Sequence, residues 1–168
     1  ITPNPVTGKV YVMLTNNTSR KGEQADAANP RAKNAFGHII EIAEADGDHT
    51  ATKGRWEILL KCGDPSVAAV GASFSTDTTK NGWFGMPDNA VVDSAGRLWV
   101  ATDGNGIDVT GRTDGLWAVD TEGPARRTSK LFYRVPHGAE LCGPCFTPDD
   151  TTAFVAVRDV HAAVELLG

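Results

Sequence analysis

The sequence predicts an all-β chain: a segment of a β-propeller, about two to three blades of four-stranded antiparallel sheet with long loop insertions. Three observations carry this. Short strand-like runs recur along the 168 residues, and no window of a dozen residues has a convincing 3.6-residue period. Only the short stretches Arg31–Lys33 and Ala162–Leu167 hint at helix. Eighteen glycines and nine prolines punctuate the runs, above the average share. Finally, one unit recurs three times. A polar turn leads into a run where an aromatic precedes valine, at Val10-Tyr11-Val12, Leu98-Trp99-Val100 and Ala153-Phe154-Val155. The turns supply Pro, Gly or Asp for chain reversal. The runs supply residues suited to strands buried on both faces.

The elements follow in order. Strands are expected at 10–15, 37–43 and 56–61, with a first strand of that blade upstream of Ile1. The next blade is complete: 89–92, 98–102, 115–120 and 130–135, with a clear hairpin at Asp93–Gly96. A further blade opens with 143–147 and 153–157. The chain 1–168 thus divides into a blade at 1–62, an insertion at 63–86, a blade at 87–136 and the start of another at 137–168. A closed ring needs at least four blades, so the chain reads as a fragment. An open arc would expose apolar blade faces, which predicts self-association or the need for a partner chain. The long stretches Asn16–Phe36 and Gly63–Asp88 are expected to pack over one mouth of the propeller.

Composition removes several function classes. The net charge of −5 leaves no electrostatic footprint for nucleic acid or an anionic membrane, and no apolar run is long enough to span a bilayer. Three cysteines form no closed disulfide framework. Cys142-Gly143-Pro144-Cys145 has the letters of a redox loop, but the Thr147-Pro148-Asp149 turn that follows is not the start of a helix. A thiol oxidoreductase is therefore a minor rival. No second Cys pair or His pair completes a zinc site.

In a propeller, the loops entering the inner strands reach the central channel. Asp88 in Met86-Pro87-Asp88-Asn89 and Glu140 in Gly138-Ala139-Glu140 occupy such positions. Asp103 and Asn17 end the second strands of consecutive blades. These four are candidate oxygen ligands for a hard cation such as calcium. Arg20 and Arg31 are candidates for grasping an anion, since a guanidinium fork matches phosphate. His38 reads as a hydrogen-bonded core residue before a channel ligand. Asp114, like Asp108, Asp149 and Asp150, reads as a turn former.

Taken together, Val10–Asn17 with Arg20, Asn29-Pro30-Arg31, Phe36-Gly37-His38-Ile39-Ile40-Glu41, Pro87-Asp88-Asn89, Leu98–Gly104 and Gly138–Pro144 resemble the C-terminal part of PhoX-type alkaline phosphatases. The resemblance implies a secreted, periplasmic or extracellular phosphomonoesterase on a six-bladed propeller that uses calcium and iron. It implies Asp88 and Glu140, and less directly Asn17 and Asp103, as metal ligands. Arg20 and Arg31 would lie on the substrate side. The family's upstream cysteine and acidic iron ligands have no counterpart here, and Arg158–Ala162 leaves the family pattern, so the expected fragment is inactive alone. A calcium-dependent lactone hydrolase of the gluconolactonase class shares the Pro87-Asp88-Asn89 text, but leaves Asn29-Pro30-Arg31 and the insertions unexplained. A non-catalytic propeller scaffold is the remaining alternative.

Overall fold

A computed structural model describes residues 1–104 and 106–158. The stretch Ala162–Leu167, His161 and the end of the 137–168 segment lie outside the described residues. Among the described residues, ten strands run β1 (Thr2–Pro3), β2 (Val10–Leu14), β3 (His38–Glu44), β4 (Gly54–Lys61), β5 (Pro87–Val92), β6 (Leu98–Thr102), β7 (Gly115–Val119), β8 (Ser129–Arg134), β9 (Glu140–Phe146) and β10 (Ala153–Arg158). They form two four-stranded antiparallel sheets, β1-β2-β3-β4 and β5-β6-β7-β8, and the pair β9-β10. Each sheet adds strands in chain order, as a propeller blade does. The helical content among the described residues is slight: α1 (Ile107–Thr110) and three single 3₁₀ turns, at Gly22–Gln24, Ala45–Gly47 and Ala68–Val70. Arg31–Lys33 is not helical.

Three expectations need correction. The inner strand of the first blade lies within the chain: Thr2 and Pro3 pair with Tyr11 and Val10. Its signal is weak because only two residues pair and one is proline, tolerated at a strand edge. Strand β5 starts at Pro87 instead of Asn89, and β9 starts at Glu140 instead of Gly143. A register shift lies within the early start of β5, at Pro87/Ala90, and just after that of β9, between Cys142 and Cys145 opposite Phe154/Ala156. A bulge breaks the alternation that marks a strand in sequence. The two bulged regions are tied together, because the Gly143 backbone N–H donates to Asn89 Oδ1 at 3.1 Å.

Alternation across β6 shows why these strands are apolar almost throughout. Leu98 and Val100 enter a core with Tyr11, Ile39, Leu59, Leu60, Phe84, Trp117 and Val119, all fully buried between the first two blades. Ala101 joins Leu116, Val135, Ala139 and Leu141 on the other side, facing β9 and β10, with Trp99 packed against them. Trp99 meets Phe132 and Phe146 edge-on at 5.1 and 5.0 Å. Strands β6 and β7 therefore bury both faces. The 63–86 insertion contributes Phe84, which lies 5.4 Å from both Phe74 and Trp117. It is part of the interblade core, a role the sequence did not announce.

Candidate active site

The antiparallel order puts the β2–β3, β4–β5, β6–β7 and β8–β9 connections at one end of the blades, here called the upper rim. Backbone hydrogen bonds run along it. Asn17 N–H donates to Asn34 O at 2.7 Å, Met86 N–H to Phe36 O at 2.6 Å, and Asp103 N–H to Met86 O at 3.2 Å. The end of β2, the start of β5 and the end of β6 are thus laced together. Gly37 permits the closest approach. It sits at φ +73°, and a Cβ there would lie 2.4 Å from Leu14 O and 2.8 Å from Pro87 Cδ.

Asp103, Glu140 and Asp88 share this rim. Asp103, Asp114, Arg112, His137 and Glu140 line a cavity of about 360 Å³ between the β6–β7 loop and the start of β9. Burial pushes the Asp103 carboxyl above the ordinary range, and the charges of Glu140, Asp114 and Asp88 push it further. Four carboxylates in one field repel unless a cation or protons intervene. Glu140 also accepts the Cys142 thiol at 2.8 Å on Oε1 and faces Arg158 Nη1 at 3.3 Å on Oε2. Among the described residues, no group of three His, Cys, Asp or Glu side chains is placed to enclose a metal ion. The donor set fits a hard cation in kind, since carboxylate oxygens suit calcium, but these residues alone do not complete a coordination shell.

Asp114 differs from its sequence reading as a turn former. It is buried at the start of β7, where Oδ1 accepts the Thr102 hydroxyl at 2.7 Å and Oδ2 the Gly104 N–H at 3.1 Å. It clamps the strand end that presents Asp103. Arg112 also escaped sequence reasoning. It stacks 3.8 Å above Trp83 and donates to Lys80 O, anchoring the insertion beside the cavity. Neither carries a local motif; only the pairing of β6 with β7 brings them there.

Asn17 and Arg20 form a second cluster on the rim with Ser19 and Gln24, around a cavity of about 200 Å³. Asn17 Oδ1 accepts the Arg20 backbone N–H at 3.1 Å, and Arg20 Nη1 donates to Gln24 O at 2.9 Å. Neither lines the carboxylate cavity. Arg31 is committed elsewhere: its guanidinium donates to Cys62 O at 2.8 Å, Val70 O at 3.1 Å and Gly37 O. It braces the two long loops against β3. His38 is a core residue with both ring nitrogens engaged.

The Cys142-Gly143-Pro144-Cys145 run lies on β9 with free thiols. Burial, then the hydrogen bond and charge of Glu140, push the Cys142 thiol up to about 11. An oxidoreductase thiol is shifted the other way.

The family model of the alkaline phosphatase PhoX matches residues 1–160. The chain belongs to the PhoX family. No curated protein matches it. A solved structure of Pseudomonas fluorescens PhoX, in complex with vanadate, a transition state analogue, is similar at 32% identity and a TM-score of 0.81. That match covers 94% of this chain and 28% of the Pseudomonas PhoX chain. This chain thus spans little more than a quarter of the length of that PhoX. No helix among the described residues is long and apolar enough to cross a membrane.

Proposed function

We propose that this chain is part of a secreted phosphomonoesterase, periplasmic or extracellular, and contributes one sector of its site while lacking activity alone. Family membership carries the reading, and the mutually repelling carboxylates on the rim support it. Vanadate approximates a phosphoryl group in transfer, which supports a phosphate monoester as substrate. Asp88, Asp103 and Glu140 would each offer carboxylate oxygen to a calcium ion whose shell is completed from outside this chain, with Asp114 fixing the strand end that carries Asp103. When bound, the cation supplies charge to polarise the phosphoryl group and stabilise the leaving oxygen. Arg20 would bind phosphoryl oxygens through its free guanidinium face, with Asn17 fixing its backbone. Arg31 serves as a brace, and iron, implied by the resemblance, takes no assigned ligand from this chain.

Two measurements test this. Titration calorimetry should detect calcium binding that weakens about tenfold or more in Asp103→Asn, the scale of one lost charged ligand. Absence of calcium binding sinks the cation assignment. Aryl phosphate hydrolysis by the chain alone, with calcium, should be undetectable; turnover would overturn the incomplete-site reading. The exposed blade faces are further proposed to support self-association.

A further inference from the structure

We propose that His38 is a positioning residue: as one neutral tautomer it latches residues 16–36 onto the upper rim, and protonation opens the latch. His38 is the first residue of β3 and is 2% exposed. Its Nε2 lies 2.7 Å from Ala28 O. A carbonyl only accepts, so Nε2 carries the proton. Its Nδ1 lies 3.3 Å from Asn34 Nδ2. Asn34 Oδ1 already accepts the backbone N–H groups of Gly37 at 3.0 Å and Phe36 at 3.3 Å. That orients the amide with its NH₂ toward the ring, so Nδ1 must accept. A single tautomer satisfies every partner.

A second proton would set N–H against NH₂ in a buried place, and the Asn34 contact would be lost. The surroundings oppose that proton. Burial lowers the affinity of the imidazole for it; the Ala28 hydrogen bond works the other way, and the charges of Arg31 and Arg20 lower it further. Across the sheet, His38 is flanked by Leu14 on β2 and Lys61 on β4, whose charge is also positive. Its chain neighbour Gly37 abuts Pro87 of β5, an uncharged contact.

The latch governs more than its own contacts. Asn34 O receives Asn17 N–H, and Arg20 O receives Lys33 N–H at 2.8 Å. Opening at Asn34 therefore frees the segment that positions Asn17 and Arg20. This inference does not depend on the phosphatase reading, because its readouts are titration and exchange.

The test is an NMR titration of the His38 Cε1–H in the 168-residue chain. Amide exchange at Asn17, Lys33 and Gly37 is followed alongside, corrected for the intrinsic effect of pH. His38 should titrate below the ordinary histidine range. Exchange at those three amides should rise roughly tenfold through the transition, the scale of one buried hydrogen bond, while Val12 and Ile40 stay protected. Asn34→Asp replaces the facing NH₂ with an acceptor. It should raise the His38 titration above the ordinary range and keep the segment closed in acid. His38→Gln, which keeps a donor for Ala28 but does not titrate, should abolish the pH dependence. A wild-type His38 titrating at or above the ordinary value, or exchange insensitive to its titration, overturns the proposal. If Asn34→Asp fails to fold, the wild-type titration and His38→Gln decide it.

Discussion

Asp103 takes its chemistry from its neighbours. Its sequence context, a strand-end Thr102-Asp103-Gly104, is that of a common turn. Its raised carboxyl arises from burial and from Glu140, Asp114 and Asp88, which come from three other places in the chain. Removing one neighbouring charge should relax it, so Asp88→Asn is expected to lower the Asp103 titration measured by carboxyl NMR. An unchanged value would show that the two do not share a field. Cys142 gives a second residue-level test. Burial and then Glu140 hold its thiol protonated, and Glu140→Gln removes the second cause, both the charge and the ionic acceptor. In a Cys145→Ser background, Cys142 should then alkylate faster with iodoacetamide near pH 8, because more of it is thiolate. A slower or unchanged rate counts against the assigned cause. Sequence alone could place Asp103 at a strand end and Asp88 and Glu140 in the approaches to inner strands, because strands and turns are local signals. It could not place Asp114 and Arg112 beside them, nor show that Arg31 spends its guanidinium on Cys62, Val70 and Gly37 carbonyls.

At the scale of the element, the second, third and fourth strands of each full blade were legible; of the inner strands, β1 was missed and β5 and β9 were read as starting two and three residues late. Strands β6 and β7 are uninterrupted, with both faces buried, so their apolar runs are continuous. Strand β1 is two residues long, and β5 and β9 contain bulges. Gly37 is the tightest joint between blades. Gly37→Ala combines a disfavoured φ with contact against Leu14 O and Pro87 Cδ, and should cost about 3 kcal/mol or more in chemical denaturation. A cost within experimental error would mean that the rim is looser than its hydrogen bonds indicate. Phe84 stands in the interblade core although it belongs to an insertion. Phe84→Ala should cost about 3–5 kcal/mol, the range for truncating a buried aromatic. A loss below about 1 kcal/mol would place it outside the cooperative core.

At the scale of the molecule, the blades are also joined at the lower end, away from the candidate site. Glu41 on β3 pairs with Lys9 at 3.0 Å and with Arg126, from the β7–β8 turn, at 2.9 Å; Arg126 also bonds Glu57. Burial works to raise the Glu41 carboxyl, but the two cations outweigh it and leave it lowered from 4.5. The folded value thus lies below the unfolded one. Its contribution is full above the unfolded value and is lost as pH falls through the folded one. Glu41→Gln should cost about 2–3 kcal/mol at neutral pH, the scale of hydrogen bonds to charged groups, and should flatten the acid side of the stability profile. A parallel profile would remove Glu41 as the source. The proposed self-association belongs to this scale too. Trp56, Phe132 and Phe154 are 49%, 61% and 56% exposed, and light scattering should show a mass that rises with concentration and falls in Trp56→Lys. A constant monomer mass would refute it.

The sequence by itself determined the β class, the blade count, the family resemblance, the strand end where Asp103 stands and the approach to the inner strands where Asp88 and Glu140 stand. These depend on periodicity and turn chemistry within a few residues. Only the tertiary structure decided that Asp114 clamps the Asp103 strand, that Phe84 is core and that His38 is bonded on both nitrogens. Each of those depends on partners distant in the chain or on how loops close over a blade. Hydrogen bonding and desolvation act on proximity in space, which local pattern does not encode.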